Sequence, residues 1–246
     1  MESPNNLPDN NNNTINIDNY LDNHYIHRSN WLRAAVLGAN DGIISISSIA
    51  IGIAAASTNR EPIVLASVAG LVAGALAMAA GEYVSVSSQT DIEKADIERE
   101  AQELAEMPEE ELQILAAIYE KRGLKKETAM QVALELTEHD ALTAHVRDEL
   151  GITELSQANP LQAALASGAA FTLGGVLPLL VALFIPLANM EYALYGSAII
   201  FLVVLGIIAS KTGGSNPVKS IARITIWGTL AMGLTALVGY IFGVSV

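Results

Sequence analysis

The sequence contains no cysteine and has few charged residues for its length. Without Cys among its 246 residues, disulfides, thiolate metal ligands and cysteine nucleophiles are excluded. Charged residues make up 16% of the chain, whereas soluble globular domains average about 25%. Basic residues are the scarcer kind, with 13 Lys and Arg against 26 Asp and Glu. This balance argues against nucleic acid as a partner, because nucleic-acid binding relies on basic residues that neutralise phosphates.

Common catalytic signatures are missing as well. The chain has neither a Gly-x-x-x-x-Gly-Lys phosphate loop nor a Gly-x-Ser-x-Gly nucleophile elbow. We therefore predict that the protein is not an enzyme and holds no prosthetic group. Any uphill transport would have to use an ion gradient, since no nucleotide site is evident.

What the chain has in quantity is apolar residues, at 51% of the sequence with a mean hydropathy of +0.38. Five apolar stretches approach or exceed the about 20 residues with which a helix crosses a bilayer. One such stretch is compatible with a buried soluble helix, but five together are not. The sequence predicts an all-α integral membrane protein with five transmembrane helices. The stretches are 31–56, 62–88, 159–185, 190–210 and 220–246.

The predicted organisation has four parts. Residues 1–30 are polar and Asn-rich and are expected to form a disordered tail. Transmembrane helices 1 and 2 occupy 31–88, an acidic helical insert occupies 89–158, and transmembrane helices 3 to 5 occupy 159–246. Between Asp91 and Glu154 the insert has 18 acids and seven bases, net −11 of the chain's −13. Charge and apolar residues are thus segregated along the chain.

The insert has the start and stop signals of three helices. The first helix is expected over 91–107, and the second begins at Pro108 and is closed by Gly123. The third, in one or two pieces, spans about 126–150 and is stopped by Gly151. No Pro or Gly interrupts the passage from the second apolar stretch into the insert, so that stretch can continue directly into the first insert helix.

The positions of the basic residues orient the chain. If the N-terminus is cytoplasmic, twelve of the thirteen bases lie on the cytoplasmic side, as the positive-inside rule requires. The exception is Arg60, in the first short loop. The insert is therefore predicted to be cytoplasmic, and the C-terminus is predicted to lie outside.

Asp41 is the most informative single residue. It lies about 15 Å into the first apolar stretch, where a charge costs at least about 2.5–3.5 kcal/mol. Either it is a protonated or backbone-bonded carboxyl, or it faces a polar pathway and binds a cation or a proton. Oxygen-bearing side chains that could assist it are Asn40, Ser45, Ser47 and Ser48.

Two further candidate ligands lie in the second apolar stretch. Met78 and Glu82 are four residues apart and so share one helix face. Separately, a Met is usually a packing residue and this Glu is close enough to the membrane surface to be interfacial. Together they suggest a site with thioether and oxygen ligands, which favours later transition metals such as Fe(II) over the hard ions Mg, Ca or Mn.

The insert also carries acidic residues at helical spacing. Like charges three or four residues apart repel, so a bound cation would stabilise such a face, although a solvated acidic face explains the pattern equally well. A di-iron oxidase centre is disfavoured, because the required Glu-x-x-His pairs are missing. The positions are Asp96, Glu100, Glu103, Met107 and Glu110 or Glu111, followed by Glu135, Glu138, His145 and Glu149.

Small-residue ridges at Gly38-x-x-x-Gly42 and Gly70-x-x-x-Gly74 suit close contact between helices. They fit packing within one chain or a seam between two copies, and the sequence favours neither.

Several motifs together resemble the vacuolar iron transporter family. They are Asp41-Gly42-Ile43-Ile44, the run from Met78 to Ser85, the run from Arg147 to Gly151, and Gly174-Gly175 ahead of Pro178-Leu179. The resemblance covers nearly everything after residue 30. It implies a five-span homodimer that moves cytoplasmic Fe(II), and often Mn(II), out of the cytoplasm in exchange for protons.

The resemblance also implies roles for individual residues. In the first two spans Asp41 and Met78 would contact the transported ion, and Glu82 falls in the same motif. The glutamates expected to gather metal in the cytoplasmic insert are Glu100, Glu103, Glu111 and Glu149. The chain departs from the family pattern at Ile114, where relatives can have a carboxylate, and at His145 and Val146, where some have methionines.

The family resemblance leaves some alternatives open. The same machinery could serve Mn(II) as the physiological ion, or the insert could be a membrane-anchored iron buffer or sensor whose spans only anchor it. The membrane would be the inner membrane in a bacterium and the vacuolar membrane in a eukaryote.

Overall fold

The structure, a computed structural model, describes residues 29–152 and 159–243. The predicted disordered tail lies outside the described residues except for its last two positions. Throughout the described ranges all regular structure is α-helical. The helices are α1 (Ser29–Ala56), α2 (Arg60–Glu106), α3 (Pro108–Lys121), α4 (Lys126–Asp148), α5 (Pro160–Phe184), α6 (Leu187–Thr212) and α7 (Pro217–Gly243).

Five of the seven described helices are long and apolar enough to cross a membrane, namely α1, α2, α5, α6 and α7. They coincide with the five apolar stretches of the sequence, which confirms the prediction of five long apolar helices. Local signals explain their starts: α5 begins at Pro160 behind Asn159, whose side chain accepts hydrogen bonds from the amides of Leu161 and Gln162. Pro186 directly precedes α6.

Helix α2 is a single helix of 47 residues, about 70 Å long at 1.5 Å per residue. Its first half is apolar and its second half is charged, so it runs from the membrane-length bundle into the acidic insert. The predicted continuity of the second span with the first insert helix is confirmed. The predicted domain boundary at 88/89 therefore falls inside a helix rather than in a linker.

Glycines allow α1 and α2 to pack closely against α5. A Cβ on Gly38 would lie 2.6 Å from the carbonyl oxygen of Ser167, and one on Gly42 would overlap the carbonyl of Phe171. On α2, a Cβ on Gly74 would overlap the Phe171 ring. Both small-residue ridges are thus used for packing within the chain.

The bundle is apolar both inside and outside. Its largest buried cluster joins α1, α6 and α7, and includes Ile43, Ile51, Leu194, Leu202 and Met232. Large apolar side chains also cover the outer surface, where a soluble protein would be polar. Examples are Leu65, Leu76, Phe184, Tyr192 and Trp227. Such an exterior is suited to lipid rather than to water.

Helices α3 and α4 form a small hairpin beside the charged end of α2. Its core contains Leu115, Ala116, Ala133 and Ala144. Gly123 and Gly151 follow the two helices with φ of +103° and +70°, which confirms the predicted stops. Helix α4 is interrupted at Asp140, whose backbone is extended, so it consists of two pieces.

Candidate metal centre

Four side chains from three helices meet at the junction of α2, α3 and α4. Glu100 comes from α2, Glu111 from the first turn of α3, His145 from the last turn of α4, and Glu149 from the residue after α4. One ligand atom of each lies within 4.8 Å of those of the others. In the described part of the chain this is the one group of three or more carboxylates or imidazoles close enough to share an ion. We call it the insert cluster.

The carboxylates of the insert cluster are arranged around the Nδ1 atom of His145. Glu100 Oε1 lies 2.9 Å from Nδ1, and Glu149 Oε2 lies 3.1 Å from it. Glu111 Oε2 is slightly farther, at 3.7 Å. Three acidic oxygens thus face the same ring nitrogen.

Burial makes this grouping costly in the absence of a cation. The side chains of His145 and Glu100 are 0% and 1% exposed, and that of Glu111 is 5% exposed. Buried carboxylates are strongly unfavourable unless they are paired or coordinate a metal. The Glu149 side chain is 31% exposed and provides the solvent-facing side of the cluster.

Two polar atoms of the cluster have no hydrogen-bond partner among the described residues. They are Glu100 Oε1, which lies 2.9 Å from Nδ1 but makes no hydrogen bond of acceptable geometry, and the second ring nitrogen, His145 Nε2. Most buried polar atoms in proteins are hydrogen-bonded, so unpaired ones require a reason. An oxygen that is buried, unpaired and directed toward other acidic groups is suited to bind a cation.

Burial and neighbouring charges raise the pKa of two glutamates in the cluster. Burial is the largest cause of the raised pKa of Glu100, followed by the negative charge of Glu149. The pKa of Glu111 is raised for the same two reasons in the same order. His145 opposes the rise in both cases, while Glu103 adds to it. A cation bound among these groups would therefore displace protons.

A polar clamp holds the end of α4 against α3, immediately before Glu149. The Tyr119 hydroxyl donates to Asp148 Oδ2 at 2.7 Å, and Arg122 binds Asp148 Oδ1 at 2.6 Å. Burial raises the pKa of Asp148, but these two hydrogen bonds and the Arg122 charge outweigh it, so the pKa is lowered. These contacts hold the backbone at Asp148 in place and so fix the position of the next residue, Glu149.

The interruption of α4 is also stabilised by a side chain. Asp140 accepts hydrogen bonds from the Thr143 amide at 3.0 Å and the Thr143 hydroxyl at 2.8 Å, in the manner of a helix N-cap. The second piece of α4, which carries His145, thus has its own N-terminal cap at Asp140.

The structure brings together three of the four glutamates predicted for the insert: Glu100, Glu111 and Glu149. Glu103 lies outside the cluster, with its carboxylate 3.8 Å from Nε of Arg99. The fourth member is His145. The sequence had placed it at helical spacing with Glu149, one turn before it, but it was not among the glutamates expected to gather metal.

In the membrane-length helices, Asp41 is half-buried on α1 and accepts a hydrogen bond from the Ser45 hydroxyl at 2.6 Å. Nearby on the same helix, Asn40 Oδ1 and the hydroxyls of Ser47 and Ser48 are buried, with no hydrogen-bond partner in the described ranges. The segment around Asp41 is therefore polar and incompletely satisfied within an apolar bundle.

Met78 and Glu82 are both half-buried on α2. Met78 packs against the apolar cluster of Ile46, Leu71 and Phe171. Asp41 and Glu82 belong to no group of three carboxylates or imidazoles among the described residues. Their role as ion contacts stays a prediction.

The fold and the insert cluster define a class of protein: a bundle of five membrane-length helices with a helical appendage that carries a candidate metal site. The sequence profile of the VIT family matches residues 32–240. The chain belongs to this family, which confirms the resemblance seen in the sequence.

Relatives with assigned names agree with this membership. The chain is 44% identical to a vacuolar iron transporter of Acanthamoeba castellanii over 86% of this chain and 78% of that protein. It is 35% identical to vacuolar iron transporter homolog 4 of Arabidopsis thaliana, over 93% and 96% of the two chains. Homolog 2.1 of the same plant is also 35% identical, over 86% and 81%. These names describe transporters rather than enzymes.

Proposed function

We propose that this protein transports divalent metal ions, with Fe(II) as the main substrate and Mn(II) as a second one, out of the cytoplasm in exchange for protons. The observation that carries the proposal is Asp41, a carboxylate held at mid-depth in a membrane-length helix. Ionisable residues at such positions are costly and typically mark ion pathways. The family membership and the names of the relatives support metal as the cargo.

The proposed pathway begins at the insert cluster. The insert's net negative charge raises the local concentration of cations, and the cluster captures a metal ion at its open side, where Glu149 is exposed. Helix α2 leads from Glu100 back to Glu82 and Met78 without a break. These two residues and Asp41 then contact the ion within the membrane.

Proton exchange is assigned to the carboxylate of Asp41. The Ser45 hydroxyl donates to one of its oxygens, which leaves the second oxygen for a proton or a metal ion. Because no basic residue stands near mid-depth in the spans, the carboxylate requires one of these two cations. Alternate binding of metal and proton provides the coupling.

The proposed topology places the N-terminus and the insert in the cytoplasm and the C-terminus outside, as the positive-inside rule predicts. The protein is a multi-pass membrane protein, of the inner membrane in a bacterium or the vacuolar membrane in a eukaryote. We also propose a homodimer. Its support is the resemblance to the family and the outward apolar face of α2, with Leu65, Val72 and Leu76 exposed.

Transport by an Asp41→Asn variant tests the proposal. We expect this variant to insert and fold but to lose Fe(II) uptake driven by a proton gradient in proteoliposomes, because a neutral amide cannot exchange a proton. The matched control is Asp91→Asn, which removes an exposed carboxylate of α2 and should leave uptake intact. Normal uptake by Asp41→Asn would contradict the mechanism.

The same vesicles separate the alternatives. Competition between Fe(II) and Mn(II) for uptake shows which ion is preferred. A membrane-anchored buffer or sensor would bind metal but give no flux in liposomes, and Asp41 argues against it because an anchor has no need of a mid-membrane carboxylate.

A further inference from the structure

The least expected member of the insert cluster is His145. It is the sole nitrogen donor among three carboxylates, and its side chain is fully buried. Its Nδ1 atom lies within 3.7 Å of an oxygen of each of the three acidic groups, while its Nε2 atom is buried and has no hydrogen-bond partner in the described residues. The imidazole is therefore directed into the site at an atom that can bind metal.

We propose that His145 ligates the metal directly through Nδ1 and is the residue that sets the metal preference of the insert. It would favour Fe(II) and later transition metals over Mg(II) and Ca(II), and would also favour Fe(II) over Mn(II). This inference rests on the proposed function, since it assumes that the insert cluster holds the transported metal.

Ligand chemistry gives the direction of this preference. Carboxylate oxygens alone suit the hard ions Mg(II), Ca(II) and Mn(II). Imidazole binds Fe(II), Ni(II), Cu(II) and Zn(II) well, and affinity for a given mixed site rises from Mn(II) through Fe(II) along the first transition row. Replacing one of four oxygens by nitrogen thus increases discrimination against the hard ions that compete in cytoplasm.

The surrounding structure holds the ring in place. His145 lies in the second piece of α4, which begins at the Asp140 cap and ends at the Asp148 clamp. Because the ring is buried on all sides, it cannot turn out into solvent to avoid the ion. Such restriction of a ligand favours selectivity, since the site adapts less to ions of other geometry.

Direct ligation can be seen spectroscopically in the full-length protein in detergent. Mn(II) bound at one equivalent serves as the paramagnetic probe, and electron spin-echo envelope modulation detects a coordinated nitrogen. We expect nitrogen modulation in the wild type and in His139→Gln, whose exposed histidine lies on the same helix. The modulation should vanish in His145→Gln.

Metal preference is measured on the same three proteins by anaerobic competition of Fe(II), Mn(II) and Mg(II). Removal of an outer-shell partner of a metal ligand usually weakens binding by about 10–100-fold. Loss of His145 as a ligand should weaken Fe(II) binding by more than about tenfold and Mn(II) binding by less, so that the Fe(II)/Mn(II) affinity ratio falls. His139→Gln should leave the ratio unchanged.

The outcomes distinguish this inference from the proposed function. If the wild type binds one Mn(II) at the cluster without nitrogen modulation, His145 is not a ligand and the inference fails, although the insert site stands. If Glu100→Gln and Glu149→Gln leave all metal binding unaltered, the insert site itself is wrong. The role of Asp41 in transport is tested separately, by Fe(II) uptake into vesicles, and that test does not depend on either result.

Discussion

At the scale of single residues, the insert cluster is a balance between burial and charge. Glu100 and Glu111 are nearly inaccessible to water, yet each faces other acidic groups. The pKa values of both glutamates are raised, so in the absence of metal these carboxyls are protonated more readily than an ordinary glutamate. Protonation removes their negative charge and so lessens the repulsion. A divalent ion would remove the same repulsion by neutralising the charge. Protons and a metal ion bound there would therefore compete for the cluster.

This competition predicts a pH dependence of stability for the metal-free protein. A carboxyl whose folded-state pKa is raised binds more protons when folded, so it favours the folded state at low pH. That contribution is lost as pH rises from the ordinary glutamate value of 4.5 through the raised values of Glu100 and Glu111. We expect the melting temperature of the metal-free protein to fall across this range, and the metal affinity to rise.

Chemical or thermal unfolding of the full chain in detergent checks this dependence. Glu100→Gln should flatten the pH profile, because it removes one of the two groups with a raised pKa. Glu98→Gln, an exposed neighbour on α2, should leave the profile unchanged. Asp148 acts in the opposite sense: its pKa is lowered, so its stabilising effect is lost only as pH falls below 3.8. A metal-free protein that becomes more stable between pH 4.5 and neutrality would contradict the assignment.

At the scale of helices, close packing of α1 on α5 depends on glycine. The position of Gly42 admits no side chain, because a Cβ there would overlap the Phe171 carbonyl and lie 2.8 Å from the amide nitrogen of Gly175. Both neighbours are backbone atoms, which cannot rotate aside. Since Asp41 is the preceding residue, this contact also fixes the depth and orientation of the proposed ion-binding carboxylate.

Gly42→Ala should therefore destabilise the bundle, although alanine is intrinsically a better helix former than glycine. Overpacking at a close contact typically costs about 1–3 kcal/mol, and we expect a lower melting temperature in detergent. Gly196→Ala in α6 is the matched control, because its Cβ would meet open space, and it should be neutral or slightly stabilising. Equal stability of the two variants would show that α1 does not pack on α5 as described.

At the scale of the whole molecule, α2 joins the two sites. One helix carries Met78 and Glu82 in its apolar half and Glu100 in its charged half. An uninterrupted helix transmits displacement and rotation along its length, whereas a flexible linker would not. Capture of metal by the insert and its passage through the membrane are therefore expected to be mechanically linked.

A break in α2 between its two halves tests this link. Gln89→Pro removes a helix hydrogen bond and kinks the helix, at a cost of about 3 kcal/mol. We expect the variant to retain metal binding at the insert cluster but to lose uptake at low metal concentration in proteoliposomes. Gln89→Ala should retain both activities. Full uptake by the proline variant would show that the insert supplies metal without rigid connection to the spans.

The sequence was sufficient for those features that depend on local composition. Hydropathy predicted the five long apolar helices, and the lack of Pro or Gly after Tyr83 predicted the continuity of α2, because both follow from the chain within a few turns. The stops at Gly123 and Gly151 were predicted for the same reason. The family followed from motifs of contiguous residues.

Features that depend on contacts between distant segments required the folded structure. The sequence could not distinguish Glu100 from Glu103. Only the packing of α3 and α4 against α2 shows that Glu100 faces these helices and that Glu103 lies outside the cluster. It also did not assign His145 as a partner of Glu100, 45 positions earlier in the chain. Likewise, the sequence left open whether the ridge at Gly38 and Gly42 packs within the chain or between two copies. In the folded structure α5 packs against this ridge. Helical periodicity reports which residues share a face, whereas the neighbour of that face is set by how whole helices pack.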